Sequence, residues 1–286
     1  MATSFATTTA VPNWSPTGGL KPGDSAAGLQ IIRLAHATDV AEKVAALILD
    51  EGLHHPRRPL GLATGRTMEP VYGALARRLA LLPAAEQASL RQGWCSFNLD
   101  EYVGLGPADP RSFAAEMAAR LTDPLGLDPA AVHLPDGLDP DPAAAAARYG
   151  AAVAAAGGIG LQLLGLGLNG HVGFNEPPSG SEVACRCIQL SAATRRQNAA
   201  AFAGDAAAVP ERAITLGLRE ILAAERLLLV VTGAAKAEVL RRALQEPPSP
   251  ELPASWIQRH PRALVVADGE AAALLDGSCH EGDLPV

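Results

Sequence analysis

The sequence predicts an α/β protein with a mostly parallel sheet covered by helices on both faces. Short apolar segments alternate with segments of helical periodicity from about residue 29 onward, which is the pattern of repeated β-α-β units. Several apolar segments, such as "LQLLGLGL" and "RLLLVV", have no polar face, as expected of strands buried on both sides. With 286 residues, 48% of them hydrophobic, the chain can bury a sizeable core.

The first predicted elements follow a polar N-terminal segment. Residues 1–28 are rich in Thr, Ser, Pro and Gly, so we predict a disordered tail there and a single domain over 29–286. "LQIIRL" is the first predicted strand. The next segment has apolar residues at helical spacing, and we predict that Asp39 caps this helix and Gly52 ends it.

The alternation continues along the chain. "RPLGLATGRTMEPVYGALARRLALL" predicts a strand, a loop and a helix with Val71, Leu75 and Leu79 on its buried stripe. "GWCSFNLDEYVGL" predicts a strand running into a polar loop, "SFAAEMAARL" and 142–156 predict helices, and "IGLQLLGLGL" predicts a strand. Further strands and helices are predicted in "RAITLG", "LREILAAE", "RLLLVVTG", "AAKAEVLRRALQE", "RALVVAD" and "GEAAALL".

Composition excludes several classes of function. The formal net charge of −7 argues against non-specific nucleic-acid binding, which needs a basic surface. The longest apolar runs are well short of the roughly 18–20 residues that span a bilayer, and the N-terminus does not read as a secretory signal. The four cysteines have no spacing typical of a zinc site. We therefore expect free thiols in a cytoplasmic protein, with no metal and no membrane contact.

In open α/β sheets, ligands bind beyond the carboxyl ends of the strands, and two such loops carry candidate residues here. "ATGRT" (63–67) joins a strand to a helix, where small residues and a helix start can hold an anion, although a plain turn at Gly65 is the alternative. In "FNLDEY" (97–102), Asp100 and Glu101 directly follow a strand. Adjacent carboxylates point in different directions, so at most one is expected to face a cleft as a base, and a helix cap or solvated loop is the alternative.

The stretch "GLGLNGHVGFNEP" (165–177) ends an apolar run with a group of polar side chains. Asn169 and Gly170 favour a tight turn with positive φ at the glycine, which would present His171 at the strand's end. Histidine can accept and return a proton near neutral pH, and Glu176 could orient the ring or stabilise its charged form. Arg195 in "TRRQN" and Lys236 in "TGAAKAE" could bind an anion, unless they are ordinary surface charges.

Several motifs in this order resemble glucosamine-6-phosphate deaminases over residues 30–275. These motifs are "LGLATGRT", "FNLDEYVGL", "GLGLNGHVGFNEP", "TRRQNAAAF", "AITLGLREIL" and "SWIQRHPRALVVAD", of which the second and third are the most specific. The resemblance implies a Rossmann-like three-layer α/β/α sandwich, an amino-sugar phosphate as ligand, and a reaction without metal or cofactor. It is compatible with a monomer or a homo-oligomer. Glucosamine 6-phosphate and water would become fructose 6-phosphate and ammonia.

The resemblance also implies residue roles. Asp100 matches the base for enolisation, His171 the ring-opening base and Glu176 its carboxylate partner, with Asn169 in the same turn. Substrate binding would involve Arg195 and Lys236 on the phosphate, together with Thr64, Gly65, Arg66, Thr67 and Gly170.

Three positions depart from the family's pattern. Asn169 stands where the family often has Asp, so ring opening would depend more on Glu176. Arg66 replaces a Gly that is usual at this position. Its side chain could add a phosphate contact or crowd the loop. Hexameric members bind an N-acetyl sugar-phosphate activator through basic residues after "NEP". Arg186 matches one of them, but Ile188 replaces an expected Lys, so we predict weak or no activation.

Three other functions stay open from the sequence. One is action on galactosamine 6-phosphate, which Arg66 does not exclude. Another is 6-phosphogluconolactonase activity, although the segment after His171 in such enzymes normally does not read "GFNEP". The third is a non-catalytic sugar-phosphate sensor, against which the joint presence of Asp100, His171 and Glu176 argues.

Overall fold

The structure is a computed structural model that describes residues 28–55 and 58–275. Within this part of the chain, the main sheet has seven strands, and each pairing between neighbours is parallel. In spatial order, the strands are β1 (Leu29–Leu34), β10 (Ala263–Asp268), β9 (Arg226–Val231), β6 (Leu161–Gly165), β2 (Leu60–Leu62), β3 (Ser96–Asn98) and β5 (Val132–His133). Nearly all of the predicted tail lies outside the described residues, and the single domain over 29–286 stays a prediction.

Helices cover both faces of this sheet. Successive residues of a strand point to opposite faces, yet every residue of β10 is buried, including the neighbours Leu264 and Val265. The helices are α1 (Ala37–His54), α2 (Glu69–Leu81), α3 (Ala84–Gly93), α4 (Phe113–Met117), α5 (Asp123–Leu125), α6 (Pro142–Ala155), α7 (Ala192–Asn198), α8 (Leu218–Leu222) and α9 (Ala237–Gln245). The predicted three-layer α/β/α architecture is confirmed. Within the described ranges, no helix is both long and apolar enough to cross a membrane.

The predicted helical stripes form much of the core. Val71, Leu75 and Leu79 of α2 are at most 1% exposed and belong to the same apolar cluster as the buried residues of α1 and the sheet. α1 packs extensively against α2 and also contacts α3. Burial of these side chains, each worth roughly 1.5–3 kcal/mol, holds the helices on the sheet.

The ends of α1 differ from the prediction. The helix begins at Ala37 and its N-cap residue is His36. Asp39 is the third residue of the helix, and its carboxylate accepts a hydrogen bond from the His36 backbone N–H at 3.1 Å. Gly52 lies inside the helix rather than at its end. A side chain there would meet the Leu90 side chain of α3, so this glycine allows close packing between two helices.

The segment "FNLDEY" differs most from the prediction, because it forms two strands in different sheets. β3 ends at Asn98, and β4 (Asp100–Tyr102) joins a second, antiparallel sheet with β8 (Arg212–Thr215) and β7 (Arg186–Gln189). Leu99 is the junction: its N–H donates to Leu62 and its C=O accepts from Leu216. Near the C-terminus, "GEAAALL" forms turns rather than the predicted helix.

Candidate active site

A cavity of about 920 Å³ lies beyond the carboxyl ends of β9, β6, β2 and β3. These four strands are consecutive neighbours in the main sheet, so the loops that follow them meet in space even though they are far apart in sequence. Predicted site residues that line the cavity are Thr64, Gly65, Arg66, Thr67, Asp100, His171 and Lys236.

Asp100 is the buried carboxylate of this cavity. It begins β4, pairs with Thr215 of β8 and is only 6% exposed. Among the described residues, no group donates a hydrogen bond to its carboxylate. Burial, reinforced by the negative charges of Glu101 and Glu116, raises the pKa of Asp100 to about 8. A carboxyl with such a pKa can take a proton and return it near neutral pH.

Glu101 faces away from Asp100, as expected for neighbours in a strand. Its carboxylate accepts hydrogen bonds from the backbone N–H groups of Phe113 at 3.0 Å and Ala114 at 2.7 Å. It also accepts one from Tyr102 at 2.7 Å. Burial raises the pKa of Glu101 to about 7, although these hydrogen bonds oppose the shift. Glu101 therefore fixes the start of α4, which forms one wall of the cavity, while Asp100 lines the cavity.

A tight turn presents His171. Gly170 has φ of +83° and its N–H donates to Gly167 at 3.0 Å, which confirms the predicted turn. A side chain at Gly170 would collide with Leu252, and one at Gly167 would collide with the His171 ring. Both glycines are thus needed where the backbone turns and where the imidazole lies against it.

The hydrogen-bond partner of the imidazole is Asn169. The His171 Nδ1 lies 2.5 Å from the Asn169 Oδ1, which also accepts the His171 backbone N–H at 3.3 Å. Because an amide oxygen only accepts, Nδ1 must carry the proton, and Nε2 keeps its lone pair. Burial lowers the pKa of His171 to about 4; Glu176 opposes this shift and Lys236 adds to it. The ring is therefore a neutral base at physiological pH.

Of the two roles predicted for Glu176, the geometry does not support orienting the ring by a hydrogen bond, whereas its negative charge does favour the protonated ring. Its carboxylate accepts hydrogen bonds from the Ser191 N–H at 3.2 Å, the Ser191 hydroxyl at 3.0 Å, and the Thr194 hydroxyl. Carboxylates are favourable at helix N-termini because free N–H groups and the helix dipole are there. The N-terminus of α7 thus engages Glu176, which acts on His171 through space rather than by a hydrogen bond.

The loop after β2 has the features of an anion site. Gly65 has φ of +106°, a conformation that strains other residues. Thr67 lines the cavity but does not cap α2, whose N-cap residue is Met68. Lys236, after β9, is near enough to Arg66 for the two charges to interact; burial first, and then Arg66, lowers the pKa of Lys236. Within residues 28–55 and 58–275, neither cation forms an ion pair.

Arg195 lies outside the cavity, unlike the predicted phosphate ligand. Its guanidinium donates to the C=O groups of Val209 at 3.1 Å and Ala207 at 2.9 Å. The physical reason is the helical path of α7, which sends successive side chains in different directions. Gln197 and Asn198 of the same helix line the cavity instead.

Other residues around the cavity were not predicted from the sequence. Arg111 and Arg120 line it, although each is paired with a nearby carboxylate. Asp268 accepts the Gly233 N–H at 3.0 Å on both carboxylate oxygens and so holds the loop that carries Lys236. The sequence does contain a signal for Asp268: it is a carboxylate at the end of the apolar strand "ALVVAD". Asp100 was predicted from the same kind of pattern.

Comparisons with known proteins agree with this geometry. The chain is 40% identical over 252 residues to a glucosamine-6-phosphate deaminase of Rhodopirellula baltica, covering 87% of this chain and 98% of that protein. It is 41% identical over 247 residues to one of Shewanella loihica, covering 86% and 90%. A solved monomeric glucosamine-6-phosphate deaminase superposes with a TM-score of 0.79 at 33% identity, covering 86% and 99%.

The sequence model of a protein family matches most of the chain. It covers residues 33–266, a range that includes all four loops of the cavity. The chain belongs to the family of glucosamine-6-phosphate isomerases and 6-phosphogluconolactonases.

Proposed function

We propose that this chain is a glucosamine-6-phosphate deaminase, which converts D-glucosamine 6-phosphate and water into D-fructose 6-phosphate and ammonia. The observation that carries the proposal is that Asp100 and His171, from loops after different strands, line one cavity together with Lys236. The relatives named above support the same activity, since both curated sequences are deaminases of this sugar phosphate.

Ring opening is the first step in this proposal. His171 takes the proton of the anomeric hydroxyl on Nε2 and returns a proton to the ring oxygen as the C1–O5 bond breaks. Asn169 holds Nδ1–H at 2.5 Å and so keeps Nε2 as the accepting nitrogen. The charge of Glu176 favours the imidazolium that forms in between.

Isomerisation and loss of ammonia follow. Asp100 removes the proton from C2 of the open sugar, giving an enolamine, and the proton is then delivered to C1. The product is an imine at C2; water adds to it, and the C–N bond breaks to leave the ketone and ammonia. No hydride moves, so one carboxylate base facing C2 is sufficient. The raised pKa of Asp100 suits a group that must both accept and return the proton.

The phosphate sets the register of the sugar. We assign it to the 64–67 loop with Lys236 and Arg66, whose charges lack ion-pair partners in the described structure. Arg195 is not assigned to the phosphate, since its guanidinium donates to backbone carbonyls outside the cavity. Fixing the phosphate aligns C1 and C2 with the two bases, and such positioning accounts for much of a catalyst's rate.

An ammonia assay tests the proposal. Purified protein is given glucosamine 6-phosphate, galactosamine 6-phosphate or 6-phosphogluconolactone, and both ammonia release and lactone hydrolysis are measured. We expect ammonia from glucosamine 6-phosphate, with kcat reduced about 10²–10⁴-fold in Asp100→Asn. The matched control is Asp128→Asn, an exposed carboxylate that does not line the cavity. Equal turnover in the wild type and Asp100→Asn would remove Asp100 from the reaction, and lactone hydrolysis alone would reject the proposal.

We further propose that the protein acts in the cytoplasm as a monomer. The solved glucosamine-6-phosphate deaminase that superposes with a TM-score of 0.79 is monomeric, which supports the monomeric state. The cytoplasmic assignment rests on the amino-sugar metabolism of the relatives and on cysteines expected to be reduced. Sedimentation velocity of the purified chain with and without substrate tests the monomer, and a larger species would contradict it.

A further inference from the structure

One carboxylate in the cavity makes a contact that the mechanism proposed above does not use. Glu116 of α4 accepts a hydrogen bond from the backbone N–H of Gly65 at 3.1 Å. Gly65 belongs to the loop assigned to the substrate phosphate, and backbone N–H groups of such loops are the donors that phosphate oxygens use. In the free protein, a negatively charged side chain therefore already occupies one donor of the anion site.

Glu116 belongs to helix α4, whose N-terminal end is held in place by hydrogen bonds. The start of α4 is held by Glu101, as described above, and by Ser112, whose hydroxyl accepts the Ala115 N–H at 3.0 Å. Within the described residues, the Glu116 side chain forms one hydrogen bond, and its donor is the Gly65 N–H. Glu116 is only half-buried, so its carboxylate can turn to water when another anion takes its place.

The charges around the loop favour such an exchange. Arg66 and Lys236 line the same cavity, and neither forms an ion pair with Glu116. A phosphate dianion brings more negative charge than a carboxylate and presents three oxygens to the same donors and cations. A sugar without phosphate has nothing with which to displace the carboxylate.

We propose that Glu116 competes with the substrate phosphate for the Gly65 N–H and so sets how tightly the site binds a phosphate. The competition weakens binding of every phosphate ligand by the strength of one hydrogen bond, whereas a ligand without a phosphate leaves the carboxylate in place. The inference rests on the proposed function only for the identity of the phosphate ester. The competition itself concerns any phosphate.

Binding of inorganic phosphate tests the proposal without turnover. Titration calorimetry gives its Kd for the wild type, Glu116→Ala and Glu116→Gln. We expect Glu116→Ala to bind phosphate about 3- to 10-fold more tightly, which corresponds to a net hydrogen bond of roughly 0.5–1.5 kcal/mol. Glu116→Gln, which keeps an acceptor without the charge, should fall between the two. Glu86→Gln, an exposed carboxylate of α3 that does not line the cavity, should match the wild type.

Two results would overturn the proposal. Weaker phosphate binding by Glu116→Ala would mean that the carboxylate supports the loop, and an unchanged Kd would mean that the contact has no effect on the site. If the assay above gives ammonia, the KM for glucosamine 6-phosphate should fall by the same factor as the phosphate Kd. Tighter phosphate binding in a protein that releases no ammonia would keep the competition and reject the deaminase.

Discussion

At the residue scale, burial shifts the pKa values of the two proposed bases in opposite directions, and each shift favours the neutral form of the side chain. The pKa of Asp100 rises to about 8 and that of His171 falls to about 4, because a charge is costly in a poorly solvated cavity. Near neutral pH, His171 is unprotonated and can accept a proton, whereas Asp100 is mostly protonated until a cation arrives. The ammonium group of an amino sugar is such a cation, so substrate binding would itself ionise the base.

The buried Asp100 should reduce stability, in a pH-dependent way. Its pKa is raised from 3.8 in the unfolded chain to about 8 in the folded protein, so the folded state binds the proton more tightly. The free energy of unfolding from this group therefore falls as pH rises from about 4 to about 8. Asp100→Asn removes that loss, and we expect its Tm to exceed that of the wild type by several degrees at pH 8.5.

Thermal unfolding of both proteins from pH 5 to pH 8.5 checks this expectation. The Tm difference should shrink steadily toward pH 5, because the charge contributes less there. A constant difference across this range would show that Asn acts through packing or hydrogen bonds instead of through the removed charge.

A charge at position 169 should control the protonation of the imidazole. Asn169→Asp places a carboxylate on Nδ1, where Asn169 now lies at 2.5 Å, and an adjacent opposite charge favours imidazolium by about 1–3 pKa units. We expect the pKa of His171 to rise, as measured by NMR titration of the ring Cε1–H. Asn169→Ala removes the acceptor without adding a charge and is the control. An unchanged pKa in Asn169→Asp would mean that the side chain at 169 has left the ring.

At the element scale, the site depends on how the loops at the sheet's edge are held. The loop that follows β9 carries Lys236, but its conformation depends on Asp268 at the end of the neighbouring strand β10. Asp268 also accepts the Ala271 N–H at 2.8 Å and is 4% exposed. One buried carboxylate thus ties two consecutive strand ends together.

Loss of this support should weaken substrate binding through Lys236. We expect Asp268→Ala to raise the KM for glucosamine 6-phosphate about 10-fold, because a hydrogen bond to a charged group contributes about 1.5–3 kcal/mol. A double-mutant cycle with Lys236→Ala measures the coupling. If Asp268 acts through the lysine, Asp268→Ala adds little in the Lys236→Ala background. Additive effects would show that Asp268 stabilises the fold in general, a role that thermal unfolding would reveal.

At the scale of the whole molecule, the sheet order brings the chemistry together. β9, β6, β2 and β3 are neighbours, so their following loops close around one cavity although they span residues 63 to 236. After β3, the chain enters the second sheet as β4, which pairs with β8. This pairing places Asp100 beside the carboxyl ends of the main strands, in the cavity.

The same packing bears on regulation by an N-acetyl sugar phosphate. Arg186, for which the sequence resemblance implies a place in an activator site, donates to the Asn175 side chain at 2.8 Å and to the Ala184 C=O at 3.3 Å within its own chain. Ile188 offers no charge. We therefore expect N-acetylglucosamine 6-phosphate to change the apparent KM by less than about twofold, well below the roughly 5- to 150-fold of typical allosteric coupling. Rate curves with and without this compound decide the point, and a large fall in KM would contradict it.

The sequence by itself determined the fold class and the loops that carry the site. Apolar periodicity is a local property, so the alternation of strands and helices and the stripe through Val71, Leu75 and Leu79 could be predicted from neighbouring residues. The turn at Gly170 follows from the Asn-Gly pair alone. Motifs at strand ends singled out Asp100, His171 and the 64–67 loop because parallel strands bring their carboxyl ends to one edge.

Only the tertiary structure decided which side chains face the cavity. Asp100 and Glu101 are adjacent carboxylates, and pairing with β8 turns the first inward while α4 engages the second. Glu176 and Arg195 have hydrogen-bond partners from α7 and the segment after it, and Glu116 reaches the loop at Gly65 from 51 residues away. Each polar group binds the partner that packing brings within about 3 Å. The spacing of residues in a motif does not determine which distant residues come that close.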